Sequence, residues 1–357
     1  MFGLLSYLYA HSQSPNHRYP RGSPEAIKAN SPLANGYFAC IFALQGDLDY
    51  NSKTLLLPRS TSHNACSLCK ATIHGALSWK NCQLQAPWIA SQWTPEAWRQ
   101  WPGKSACKIF DLSYLTACNV ALDYMHTKYL GSDRYQIGSL FYYLVFDVLN
   151  LTPKANLAVL WQWIKQCYKR KNTRVRYGAI TKLTMFKRKN NIPQMRGKAG
   201  EIKHIIPVVA EMWNHFMEPD NAIHKQIKLM LQLNAKMEKI LDMYKGCFAL
   251  PSDDAQKFTK YAFGMAQVQS QLASHFLQNH SQQLFKSTAK IHMVLHSALL
   301  SHIVSPSLVW NFRGEDMMRR IQKLGESAVR GNRGFQASMK MVDHYRIAMH
   351  HLFETHK

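Results

Sequence analysis

The sequence predicts a mainly α-helical protein with a small α/β element near residues 36–60. Apolar residues recur at helical spacing through most of the chain beyond residue 112. A short apolar run, Gly36 to Leu44, ends at Gln45-Gly46 and has the length and composition of a buried strand. Gly- and Pro-containing breaks separate the periodic stretches.

Taken in order, residues 1–35 read as a loop-rich arm, with Ser14-Pro15-Asn16 and Tyr19-Pro20-Arg21-Gly22-Ser23-Pro24 as its breakers. Residues 36–130 hold the strand, a second short candidate at Leu55-Leu56-Leu57-Pro58, and an aperiodic Cys/Trp-rich stretch with Trp88, Trp93, Trp98 and Trp101. Helices are expected over Leu115–Tyr129 and Tyr135–Leu149, and over Asn156–Tyr168 after Pro153. Residues 131–290 form a basic helical region. In it Ile223, Ile227, Leu231, Met237, Leu241 and Tyr244 make one helix face that stops at Gly246, and Ser252-Asp253-Asp254 caps the next helix. Residues 291–357 comprise His292–Val304, which could be strand or helix, a basic helix from Glu315 to Ser327, and a terminal helix near 335–354.

The 357 residues carry 44 Lys and Arg against 21 Asp and Glu, a net charge of +23, which points to a polyanionic partner, DNA before a membrane surface. No stretch reaches the roughly 20 apolar residues of a membrane span; the best, Ile137 to Leu151, contains Asp147. Met1 to Ala10 lacks a basic leader and cleavage site, and the scattered cysteines suit a reducing compartment rather than a disulfide framework. Residues 165–203 concentrate 13 basic residues against one acid. Lys169, Arg170, Lys171, Arg174, Arg176, Lys187, Arg188 and Lys189 are the candidate phosphate contacts, with Tyr168, Tyr177 and Phe186 placed to stack on bases. The same run could serve as a nuclear import signal, which makes the nucleus the expected compartment.

Four motifs could carry chemistry. Gly46-Asp47-Leu48-Asp49 follows the apolar run, where an acid can hold a divalent cation or simply serve a turn. Cys66-x-x-Cys69 has zinc-knuckle spacing but is half a site; His63, His74, Cys82, Cys107 and the Asp123/His126 pair are the candidate partners. Asp123-x-x-His126 sits on one helix face, either completing that metal shell or with the acid orienting the imidazole. His292 and His296 have the i, i+4 spacing of a helical metal site but lack the Glu of a zinc hydrolase motif.

In order, these motifs resemble the DDE transposases of the CACTA (En/Spm) and KDZ-like group over roughly residues 36–350. Asp47 precedes Cys66 and Cys69; Asp123, His126 and Gly131 follow; then come Lys198-Ala199-Gly200-Glu201, the paired His292 and His296, and Trp310 with Glu315, where Asp316 replaces a frequent Arg. The resemblance implies a truncated RNase H-like core with a helical insertion, in which acids bind two Mg²⁺ for strand cleavage and joining. It makes Asp47 the second acid and Glu315 the third, with Glu201 a rival for the third. The family's first acid lies on an upstream strand, yet no acid precedes Glu25. The expected function is therefore that of a transposase-derived DNA-binding protein without full catalysis, from a fragment or a degenerate copy. The alternatives are an active Mg²⁺-dependent DNA strand transferase and a zinc-stabilised helical interaction protein. Zn²⁺ is the metal the Cys pair suits, no membrane partner is expected, and self-association is left open.

Overall fold

The computed structural model describes residues 41–186, 190–329 and 334–355. The expected N-terminal arm, the run from Gly36 to Cys40, and Lys187, Arg188 and Lys189 lie outside the described residues. Residues 45–357 make one compact unit. It is mainly helical, with a small two-stranded parallel sheet.

That sheet pairs β1 (Leu44–Gly46) with β2 (Val120–Leu122). Strand β1 starts where the predicted strand was expected to end, and Leu55–Leu57 forms no strand. Asp47 follows β1 directly and caps the short helix α1 (Leu48–Lys53), its carboxylate accepting from Tyr50 N–H at 2.6 Å. The expected helix over Leu115–Tyr129 begins only after Tyr124. Residues 117–119 are a 3₁₀ turn and 120–122 are β2, because a Thr116/Asn119 capping box closes the turn and leaves Val120 extended. Asp123 thus follows β2 as Asp47 follows β1.

Helical structure then runs from Met125 to Val148, with wide π-type turns at Met125–Asp133 and Leu144–Val148 flanking α2 (Arg134–Tyr143). Pro153 at a first-turn position and Thr152, whose hydroxyl accepts from Ala155 N–H, start α3 (Pro153–Arg170). The basic loop after it returns to α2 at Met195, whose N–H bonds Arg134 O at 2.8 Å. A Cβ at Gly138 would stand 2.6 Å from Met195 N, so only glycine allows this approach. Helices α4 (Ala199–Phe216), α5 (Ala222–Met243) and α6 (Ser252–His280) follow, then α7 (Ala289–Leu299), which decides the ambiguous segment around His292 in favour of helix. Helices α8 (Phe312–Val329) and α9 (Gly334–Thr355) pack on each other.

The core contains a polar centre. Lys128, fully buried, donates to Asp133 (2.8 Å), Asn234 (2.7 Å) and Glu238 (2.8 Å), and Tyr129 O–H donates to the other Glu238 oxygen at 2.9 Å. Gln269 of α6 accepts from Ser132 and Gln136. Every member is paired, as a buried network must be. It fixes the wide-turn segment that carries His126 against α5 and α6.

Candidate metal centre and the His126 cavity

The Cys/Trp-rich stretch folds around Cys66 and Cys69. Trp93 N–H bonds Leu68 O at 2.9 Å and Lys70 N–H bonds Ser91 O at 3.2 Å, closing a knuckle over the two thiols. Leu68 N–H donates to Cys66 Sγ at 3.3 Å, a contact that favours the thiolate. On α7, His292 and His296 lie one turn apart and point the same way. Cys69 Sγ stands 3.4 Å from His292 Nε2 and 3.3 Å from His296 Nε2, and the two Nε2 atoms are 3.1 Å apart. All four donor atoms lie within 4.8 Å of one another and all four residues are buried.

These distances come close to those around a tetrahedral ion, with the Nε2 pair at 3.1 Å slightly tight. With Zn–N near 2.05 Å and Zn–S near 2.3 Å, neighbouring donors stand roughly 3.3–3.8 Å apart. Two imidazole Nε2 atoms facing each other beside a thiol have little reason to converge otherwise. The buried Cys₂His₂ group can therefore hold a metal ion such as zinc. With all four positions supplied by the protein, the ion would have no open site and would act as a cross-link between the knuckle and α7. Burial pushes the Cys66 thiol up, but the Cys69 thiol and the two imidazoles beside it outweigh burial and hold it well below the usual range. The hydrogen bond to Cys66, together with burial, raises Cys69. Burial also lowers His292, keeping the ring in its neutral, ligating form. Trp88 walls the site, with ring centroids 4.3 Å from His292 and 5.0 Å from His296. Both Nδ1 atoms are buried without a hydrogen-bond partner among the described residues, so packing rather than a polar neighbour orients the rings.

The sequence found the cysteines but left their partners open. Asp123 and His126 do not join them, because Asp123 is engaged elsewhere. Cys82 is not in the group either; burial pushes its thiol up to about 12, as for an inert structural cysteine. The usable signal for the missing half was the His292/His296 spacing, which the absent Glu argues against only for a hydrolase.

Asp123 and His126 instead organise a second cluster. Asp123 is fully buried. Its Oδ1 accepts from Met125 N–H (2.9 Å) and from Asn311 N–H (3.0 Å), pinning the start of α8 to the end of β2. Its Oδ2 meets His126 Nδ1 at 2.5 Å, and His126 Nε2 meets Glu315 Oε1 at 3.2 Å. Burial would lower His126, but Asp123 first, then Glu315 and Asp47, raise it above its ordinary value. His126 opens on a cavity of about 400 Å³ that Asp47, Arg59, Ser60, Thr61 and Lys290 also line. Asp47 and Glu315, 268 positions apart, thus both belong to the surroundings of one imidazole. Glu201 does not: it caps α4, accepting from Lys198 N–H at 2.7 Å.

Of the acids the resemblance makes Mg²⁺ ligands, Asp47 and Glu315 lie near His126, and Glu201 is held at the start of α4. The imidazole lies between Asp123 and Glu315, and both Asp123 oxygens are already bonded. Among the described residues, Cys66, Cys69, His292 and His296 are the group of three or more metal-binding side chains whose donor atoms converge.

Of the basic candidates, Lys169, Arg170, Lys171, Arg174 and Arg176 are exposed. Arg170 and Lys171 share Glu211, the latter at 2.9 Å, and Lys171 holds that carboxyl below its usual range. Tyr168, Tyr177 and Phe186 are buried, which overturns their expected stacking role. Phe186 packs on Phe141 with centroids 5.7 Å apart, and Tyr177 O–H donates to Arg196 O at 2.9 Å. Their apolar faces are worth more in the core than in water. Among the described residues, no helix is long and apolar enough to cross a membrane. No protein-family model matches the chain, and no curated protein matches it.

Proposed function

We propose that this chain is a transposase-derived, nucleic-acid-binding protein with a nuclear site of action, its scaffold held together by zinc. The observation that carries the reading is the assembly of Asp47, Asp123 and Glu315 around His126. These are residues from three of the motifs on which the resemblance rests, and nothing local in the sequence requires them to meet. The net charge of +23 and the exposed run from Lys169 to Arg176 supply the electrostatic attraction such a partner needs.

The assembly also revises the roles of the acids. Asp47 and Asp123 each follow one of two neighbouring parallel strands, and Glu315 lies in the first turn of α8. Under the RNase H-like reading this order supplies a first, second and third acid without any upstream strand. That observation favours a second reading, Mg²⁺-dependent strand cleavage by Asp47, Asp123 and Glu315. If bound there, the ions would supply Lewis-acid stabilisation of the phosphoryl transition state. As arranged, His126 keeps Asp123 and Glu315 bridged to itself, and this supports binding as the main activity.

Duplex-DNA binding across a salt series tests the first reading, with a steep fall of log affinity against log salt expected and salt-insensitive or absent binding against it. Nicking of supercoiled DNA in Mg²⁺ or Mn²⁺ tests the second. Cleavage that Asp123→Asn, Asp47→Asn and Glu315→Gln each abolish would establish it, and no cleavage by wild type would leave the binding role alone.

A further inference from the structure

We propose that Lys290 and Arg59 form a phosphate seat in the cavity beside His126, taking one backbone phosphate of a nucleic-acid strand; this rests on the nucleic-acid reading above. Outside its paired groups the cavity wall carries two cations, Lys290 and Arg59, and one acid, Asp47, which with Asp123 lies within electrostatic reach of Lys290. Lys53 is paired with Asp49 at 2.7 Å, and Glu315 and Asp123 are both engaged by His126. Asp47 has one oxygen taken by Tyr50 N–H. Among the described residues no carboxylate stands within 4 Å of the Lys290 or Arg59 cation, Asp47 and Asp123 acting on Lys290 from further off, and Ser60 and Thr61 line the same wall. A guanidinium, an ammonium and hydroxyl donors around one space match a tetrahedral oxyanion, with Arg supplying a planar fork and Lys a point charge.

Lys290 is braced for this. It sits in the first turn of α7, and its stem lies against Gly131: a Cβ there would stand 2.8 Å from Lys290 Cδ and 3.3 Å from its Cβ. Its Nζ donates to Leu130 O at 3.3 Å, which leaves further N–H bonds for a ligand. A lysine already confined loses less side-chain freedom on binding. His292 and His296 lie two and six positions further along the same helix, so the zinc cross-link would also hold the seat in place.

Two probes separate this proposal from the reading beneath it: a labelled 20-base-pair duplex of arbitrary sequence, and inorganic pyrophosphate. Lys290→Gln and Arg59→Gln should each weaken duplex binding and lower the slope of log affinity against log salt by about 1. Lys290→Arg should restore most of it, and pyrophosphate binding should fall at least tenfold in both Gln variants. Arg59 lies on an exposed loop, so its variant reports even if Lys290→Gln fails to fold. Zinc content and thermal midpoint check the fold of each. Wild-type duplex binding with slopes unchanged in both Gln variants overturns the seat and leaves the reading. Pyrophosphate binding that both variants lose, without duplex binding by wild type, keeps the seat as an anion site and overturns the reading. Binding of neither probe overturns both.

Discussion

The Cys₂His₂ group and the Asp–His–Glu cluster hold similar residue types on neighbouring parts of the molecule, yet they differ in what else their donor atoms do. At the first, Cys69 Sγ and both Nε2 atoms face one another at 3.1–3.4 Å within apolar walls. At the second, Asp123 already bonds backbone N–H groups on two elements and an imidazole. Donors that converge on one another, with a backbone N–H from their own knuckle beside them, describe a metal centre. Donors committed to the backbone describe a scaffold joint that also borders a cavity. Residue type alone does not separate the two; the hydrogen-bond accounting does.

Removing the metal is the sharpest way to break this contrast. Purified protein should carry about one zinc per chain, and Cys69→Ser should lose it with a stability cost of roughly 5 kcal/mol or more, read by calorimetry or denaturant unfolding. Asp123→Asn should leave zinc content unchanged, since Asp123 touches none of the four ligands. If Asp123→Asn released zinc and Cys69→Ser kept it, the assignment of the two sites would be reversed.

The helical part of this arrangement was readable because α3, α5 and α6 have spaced apolar faces and α3 starts conventionally at Thr152-Pro153. The expected Ser252-Asp253-Asp254 cap is not formed, since α6 follows Pro251 without a side-chain cap and holds the two acids in its first turn. Strand β2 was not, since Val120-Ala121-Leu122 is too short to show a period and lies inside a stretch whose apolar spacing suits a helix. The half of the zinc group at Cys66 and Cys69 was visible in a local motif. The other half lies 223 positions beyond Cys69 on a helix, and no local pattern connects them. Tyr168, Tyr177 and Phe186 failed for the opposite reason: they lie among charges in sequence, but each turns inward in space.

A smaller effect is expected at the core polar centre, which anchors the wide-turn segment beneath the cavity. Lys128→Met would leave Asp133 and Glu238 buried without their shared cation. The expected loss is about 3–5 kcal/mol, measured by chemical unfolding with zinc saturating. Lys128→Met paired with Asp133→Asn and Glu238→Gln should recover much of it, because neutral partners need no counter-charge. A single Lys128→Met variant as stable as wild type would mean that the centre is not closed to water.

The weakest effect, and the one that tests the centre without deleting a side chain, is its response to pH. Burial, with Glu238 nearby, raises the Asp133 carboxyl to about 6, despite the opposing pull of Lys128. The folded protein therefore holds this proton more tightly than the unfolded chain, whose carboxyl titrates near 3.8. The stabilisation from Asp133 is complete below the unfolded value and is lost as pH rises through about 6. Integrated over that interval, the loss is at most on the order of 3 kcal/mol. Zinc affinity changes over the same range in the opposite sense, because protons compete for the thiolates as pH falls. The useful quantity is thus the stability of wild type minus that of Asp133→Asn, in which the zinc contribution cancels. That difference should fall between pH 4 and pH 6.5 and level off above it. A flat difference would mean that Lys128 holds Asp133 ionised throughout, and the centre would then be a full ion pair rather than one whose acid titrates.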